Sequence, residues 1–161
     1  MIEQVSISTP TIEFQALIAG SGPLMLLVHG FPDTPHSYQS QLNYFSQQGY
    51  RVVAPWLRGY APSTAPADGD YGVMNVGQDL LNIMDALDVS QAVLIGHDWG
   101  AGAVNAAALL APDRVTHLIA SAVPYGPALM QGLAASGDQQ RRSWYVFFFL
   151  TALADHALPI N

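Results

Sequence analysis

The stretch Ala92-Val93-Leu94-Ile95-Gly96-His97-Asp98-Trp99-Gly100-Ala101-Gly102-Ala103 decides how this chain folds. Its first four residues form an apolar run, as in a strand covered on both faces. From Gly102 to Ala108 the residues are mostly small and suit a helix. The stretch therefore reads as strand, sharp turn, helix. Gly96-x-Asp98-x-Gly100 matches the nucleophile elbow, with Asp98 where the better-known version carries serine. A side chain at position 96 or 100 would collide with backbone passing close by, so the turn requires glycine there. Such a turn lifts the Asp98 carboxylate clear of the sheet and directs the first N–H groups of the helix toward it. A second reading stays open, in which Asp98 is a helix N-cap that satisfies those same N–H groups. The glycines at 96, 100 and 102 do not form G-x-G-x-x-G, which argues against a dinucleotide site.

Outward from this centre, strand and helix patterns alternate. Val5 to Ser8 and Ile12 to Ala19 alternate loosely and read as a hairpin, followed by a turn at Gly20-Ser21-Gly22-Pro23. Leu24 to Val28 is continuously apolar and runs into His29-Gly30-Phe31-Pro32-Asp33. Residues 36–48 place Tyr38, Leu42 and Phe45 at helical spacing, and Gly49 closes that helix. Val52 to Ala54 is a short strand before a loop from Pro55 to Pro66. Val76 to Leu87 is amphipathic, with Leu80, Leu81, Ile83, Met84 and Leu87 on its buried side. After the elbow helix, Ala111-Pro112-Asp113-Arg114 turns the chain into a strand from Val115 to Val123. The class is α/β, with a mainly parallel sheet flanked by helices. Ligands of such sheets bind at the carboxyl ends of the strands, where His29–Asp33, Trp56–Ser63, Asp98 and Pro124–Tyr125 converge. Gly126 to Gly137 has weak periodicity, and Gln139 to Ala154 reads as one helix with an apolar face of Trp144, Phe147, Phe148 and Leu150. The boundary falls near residue 127, giving a core part over 1–127 and a helical part over 128–161.

Composition narrows the partners. The chain has 161 residues, 50% hydrophobic and 11% charged, which suits one domain with a sizeable core. Its net charge of −7 supplies no basic stripe for nucleic acid and disfavours anionic membrane surfaces. With no cysteine there is no disulfide, thiolate metal site or cysteine nucleophile. His29, His36 and Asp33 do not match known metal-ligand spacing, so no metal and no cofactor are expected. The N-terminal MIEQVSISTP lacks a basic region followed by an apolar one, and the apolar run from Trp144 to Ala154 is too short to span a bilayer. The expected location is cytoplasmic.

Four stretches together resemble the α/β-hydrolase fold family, in its aspartate-nucleophile branch of epoxide hydrolases and dehalogenases: HGFPD (29–33), RGYAPS (58–63), GHDWGA (96–101) and the Ala-Pro-Asp-Arg-Val turn (111–115). The resemblance runs in order from about residue 5 to 127. HGFP beside GHDWG looks most like the epoxide hydrolases. It implies that Asp98 is a nucleophile that attacks an epoxide carbon and forms an alkyl-enzyme ester. It also implies that the backbone N–H groups of Phe31 and Trp99 form an oxyanion hole for hydrolysis of that ester. Pro32 would shape the turn that aims the Phe31 N–H, and Phe31, Pro32, Trp99, Tyr125 and Trp144 would line the substrate pocket. His29 and Arg58 read as structural, bound to loop backbone or a carboxylate. His97 reads as scaffold. The segment from Arg142 to Phe148 resembles the first helix of the family's lid, whose tyrosine protonates the opening ring; alignment sets Trp144 at that position, and a one-residue shift makes it Tyr145.

The chain also departs from the pattern. The implied mechanism needs a histidine base and an acid that follow later strands in this family, whereas the chain ends at Asn161. The alternative acid position of some haloalkane dehalogenases is Ala122 here, and nothing places Asp155 and His156 near Asp98. The expected chain is thus a hydrolase core truncated before its last strands with the start of a helical lid, able to trap substrate as an ester without turnover. Its expected substrate is a small apolar epoxide, or a halogenated compound if it is a haloalkane or haloacetate dehalogenase. Many haloalkane dehalogenases carry asparagine at the position of Phe31, which counts against the former. A third reading is a non-catalytic binding module. The strand at 115–121 would be an unpaired edge, inviting self-association or a complementing chain.

Overall fold

A computed structural model describes residues 1–158; the side chain of Asp155 is outside that description. The strands are β1 (Glu3–Ser8), β2 (Glu13–Ala19), β3 (Leu24–Val28), β4 (Arg51–Pro55), β5 (Ala92–His97) and β6 (Val115–Ser121). Between them run α1 (Gln39–Gln47), α2 (Val73–Ala86) and α3 (Trp99–Leu110), with short 3-10 turns at Pro35–Tyr38 and Pro112–Arg114. The strands form one sheet in the order β1-β2-β4-β3-β5-β6. The β1–β2–β4 pairs are antiparallel, and β4, β3, β5 and β6 are parallel.

The apolar run of β3 is buried at every position because helices cover both of its faces. Leu24, Leu26 and Val28 join a core with Leu80, Ile83 and Met84 of α2 and Val104 and Ala107 of α3. Met25 and Leu27 point the other way and pack with Leu42 of α1. The register pairs Val28 with Gly96 and Gly96 with Ala120. The carboxyl ends of β3, β5 and β6 thus come together, and the three loops that follow them start from one edge of the sheet. At the sheet's other end of the order, β6 is an edge strand, with Leu118 40% and Ile119 51% exposed.

The helix read over 36–48 is a 3-10 turn leading into α1, because Pro35 lacks an N–H and begins a tight turn rather than a full α-helical one. Contacts divide the chain into Met1–Tyr125 and Gly126–Asn161. The second unit contains α4 (Gly126–Ala135), α5 (Gly137–Arg142), α6 (Trp144–Phe149) and α7 (Ala152–Ala157). Residues 126–135 are helical despite weak periodicity. Here the sequence reading needs one correction: the single helix read over 139–154 is broken into short pieces. Hydroxyl residues stand at the breaks. The Ser136 side chain accepts the Gln139 N–H at 3.2 Å, and the Thr151 hydroxyl donates to the Phe148 carbonyl at 2.7 Å. Such local bonds compete with a continuous helix. Among the described residues, no helix is long and apolar enough to cross a membrane.

One buried ion pair ties the loop after β4 to α2. The Arg58 guanidinium donates to both Asp79 carboxylate oxygens at 2.6 Å each, and also to the Asp70 carbonyl. Both side chains are buried. Removing one member of a buried pair leaves an uncompensated charge, so Arg58→Ala should cost about 3–5 kcal/mol. Burial pushes the Asp79 carboxyl up, and without the guanidinium nothing opposes that push. The folded variant then holds the Asp79 proton to higher pH than its unfolded chain does, so the penalty is full at neutral pH and recedes as pH falls into the carboxylate range. Urea denaturation should show a smaller gap between variant and parent at pH 5 than at pH 7; an equal gap would contradict this account.

Candidate active site

The elbow begins where β5 ends. Asp98 has φ 55° and ψ −120°, a region that non-glycine residues avoid at a cost of about 1–3 kcal/mol. Backbone bonds on both sides hold it there. Its N–H donates to the Ser121 carbonyl of β6 at 3.1 Å, and its carbonyl accepts the Ala101 N–H at 2.9 Å. The glycine requirement is steric: a Cβ at Gly96 would overlap the Gly100 carbonyl, and one at Gly100 would overlap the Val28 carbonyl.

The N-cap reading fails on geometry. Asp98 occupies the N-cap position of α3, yet its side chain bonds no N–H of that helix. Instead its Oδ1 accepts the Phe31 N–H at 3.0 Å, across the gap between the β3 and β5 loops. The Phe31 N–H is aimed by a turn over Gly30–Asp33, closed by the Asp33 N–H to the Gly30 carbonyl at 3.0 Å. A cis Phe31–Pro32 peptide lies inside this turn, as in turns with a cis proline at the third position. The Trp99 amide opens α3 directly after Asp98, among the first-turn N–H groups that have no carbonyl one turn earlier.

His29 braces the same loop from below and is fully buried. Its Nδ1 lies 2.9 Å from the Gly30 carbonyl, and its Nε2 accepts the Leu57 N–H at 3.2 Å. These partners fix a neutral ring with the proton on Nδ1. Burial pushes its pKa down, consistent with that form. The Tyr60 ring packs edge-on against it, with centroids 4.7 Å apart. Burial, helped by the Asp98 and Asp33 charges, pushes the Tyr60 phenol up to about 12.

Phe31, Pro32, Asp98 and Trp99 therefore meet in the first unit, and the rings of Phe31 and Trp99 are exposed. Tyr125 stands exposed shortly beyond β6. Trp144 and Tyr145 belong to α6 of the second unit, with centroids 6.0 Å from Phe148 and Phe149 respectively. His97 is exposed at the end of β5. His36 packs edge-on against Trp56 at 5.3 Å. Among the described residues, no cluster of three His, Cys, Asp or Glu side chains could hold a metal. Of the Asp155–His156 pair, the Asp155 side chain lies outside the description and His156 is exposed on α7 of the second unit. Two contributors escaped the sequence reading: the Ser121 carbonyl, which carries no side-chain signal, and Asp79, an acid set among the apolar positions Val76, Leu80 and Ile83 of α2.

Comparison with known proteins agrees with this geometry. The alpha/beta hydrolase fold family matches residues 23–156. An epoxide hydrolase from Caballeronia sordidicola is 42% identical over 125 residues, covering 77% of this chain and 38% of that protein. Epoxide hydrolase 4 from Mus musculus is 37% identical over 161 residues, covering 98% of this chain and 45% of that protein. Among solved structures, Epoxide Hydrolase A from Mycobacterium thermoresistibile superposes with a TM-score of 0.74 at 34% identity, covering 83% of this chain and 45% of that one. The chain thus spans roughly two fifths of the length of the curated relatives it matches. With a mainly parallel sheet, a family match over residues 23–156 and epoxide hydrolases among its relatives, the chain belongs to the alpha/beta hydrolase fold family and is epoxide-hydrolase-like within it.

Proposed function

We propose that Asp98 is the nucleophile of an epoxide ring opening. The observation that supports this most is the Asp98 carboxylate itself, which bonds the Phe31 N–H across the gap and leaves its own helix uncapped. A carboxylate oxygen attacks an epoxide carbon and forms an ester bond. The ring C–O bond breaks, and its electron pair stays on the oxygen, which takes up a proton. Tyr145 is assigned as the donor of that proton, on the resemblance of its segment to a lid helix. Trp99, Phe31, Pro32, Tyr125 and Trp144 are assigned to the apolar lining.

Hydrolysis then requires water to attack the ester carbonyl. The oxyanion so formed is assigned to the N–H groups of Phe31 and Trp99, fixed donors in a site of low polarity. The carbonyl re-forms as the acyl C–O bond breaks, a proton given up by the attacking water ends on the departing alkoxide, and the diol leaves with the Asp98 carboxylate restored. Both ring nitrogens of His29 are engaged with backbone, which supports giving it no part in activating that water. The ester is therefore expected to accumulate on this chain. Incubation with an aryl epoxide should add one equivalent of the epoxide to the intact mass, on the peptide holding Asp98, and Asp98→Asn should lower the labelled fraction by at least tenfold. No adduct across a panel of epoxides would overturn the reading.

The exposed β6 edge supports association with another chain, because its strand contains no lysine or proline to discourage pairing. Size-exclusion chromatography at micromolar concentration should give a dimer or larger species, while a monomer that persists across concentrations would contradict this.

A further inference from the structure

Strand β6 ends the sheet on one side, and among the described residues no strand pairs with its outer edge. One bond fixes which backbone groups look outward there. The Asp98 N–H donates to the Ser121 carbonyl, so Ser121 turns its polar groups toward β5. Alternate residues of a parallel strand face the same neighbour, so Ile119 and His117 are turned toward β5 as well. Leu118 and Ala120 therefore hold their N–H and carbonyl groups outward, where no strand receives them. The free stretch has defined ends. The 3-10 turn at Pro112–Arg114 stops it on one side, and Ala122, with φ 70°, turns the chain away on the other.

This edge is complementary to itself. Across a two-fold axis through Leu118, antiparallel strands set Leu118 opposite Leu118, His117 opposite Ile119 and Ala120 opposite Thr116. Leu118 is the middle of the seven residues, so no other centre pairs the whole strand. Its outward N–H and carbonyl then meet the same groups of the second copy, as a hydrogen-bonded antiparallel pair requires. The side chains agree. Leu118 and Ile119 are both exposed and lie on opposite faces of the sheet, level with Leu94 and Ile95, so each face gains a contact across the axis. Charge singles out this surface. A net charge of −7 opposes contact between copies, yet β6 contains no acidic residue, lysine or arginine. Arg114, just before it, is committed to Asp85 and to the carbonyls of Val89 and Ser90.

We propose that β6 docks on β6 of a second copy of this chain, antiparallel about Leu118, and joins the two six-stranded sheets into one. The two-fold uses the edge of both copies, so association through it closes at a dimer. A seven-residue strand pair is a small interface, so the dimer forms and dissociates with concentration. This pairing rests on the association reading above and names its partner and register.

The chain contains no cysteine, so single substitutions report the register without background. Opposed residues of a hydrogen-bonded pair have Cα atoms about 5.5 Å apart, within reach of a disulfide. In a glutathione redox buffer, Leu118→Cys should link to its own copy at least tenfold faster than Ala120→Cys, whose copies stand about 13 Å apart along the strand. His117→Cys and Ile119→Cys, when mixed, should link to each other faster than either links to itself. Sedimentation velocity of the unaltered chain should show a monomer–dimer equilibrium, and Leu118→Lys should raise its dissociation constant at least tenfold. An unaltered chain that stays monomeric at every concentration would overturn the association reading and this pairing with it. A dimer in which Ala120→Cys links as fast as Leu118→Cys would overturn the pairing alone, as would a folded Leu118→Lys that associates unchanged. The unaltered chain and the cysteine pattern decide the matter even if Leu118→Lys does not fold.

Discussion

A carboxylate placed at the start of a helix is captured by the helix's own N–H groups unless the backbone turns it away. That constraint governs the structure around Asp98. Its positive φ aims the side chain off the helix axis, and the Phe31 N–H receives it from another loop. The strain of such a residue persists only where the surroundings leave no alternative. Here the surroundings are three backbone bonds to Asp98, one with the end of β6 and two from the first turn of α3, and two positions where only hydrogen fits in place of a side chain. The parallel part of the sheet serves this end. Its register brings Val28, Gly96 and Ala120 level, so the three loops arrive together.

A second layer of contacts keeps the loops from drifting. Neutral His29 links the Gly30 carbonyl to the Leu57 N–H, so the loop after β3 is tied to the loop after β4. The Arg58–Asp79 pair then ties the loop after β4 to α2. Neither link touches the Asp98 carboxylate. The first removes freedom from the loop whose Phe31 N–H bonds that carboxylate, and the second steadies the loop that braces it, which is how buried polar groups with every bond satisfied can contribute more to geometry than to net stability.

The fold was legible in the sequence where a residue's environment repeats with a simple period. The uninterrupted apolar run of β3 and the alternating faces of α2 follow directly from burial on two sides and on one side. Past residue 125 the period is overridden by local chemistry, since the chain breaks at Ser143 and again at Thr151, whose hydroxyl bonds the Phe148 carbonyl, within what reads as one helix. At the elbow, Gly96, Asp98 and Gly100 were legible because few residue types survive such a bend. The choice between an elbow and an N-cap was not, because both use an aspartate before a helix. It is decided by a loop 67 residues earlier in the chain, which no local pattern encodes. The role of Asp79 was hidden for the same reason: its partner lies 21 residues away.

The bond between the Phe31 N–H and the Asp98 carboxylate is the feature on which this account stands. Long-range NMR can detect it directly in uniformly labelled protein, as a scalar coupling through the hydrogen bond from the Phe31 amide nitrogen to the Asp98 side-chain carboxyl carbon. The account predicts a measurable coupling that vanishes in Asp98→Ala. No coupling, together with a Phe31 amide that exchanges with solvent as fast as an unprotected one, would contradict it.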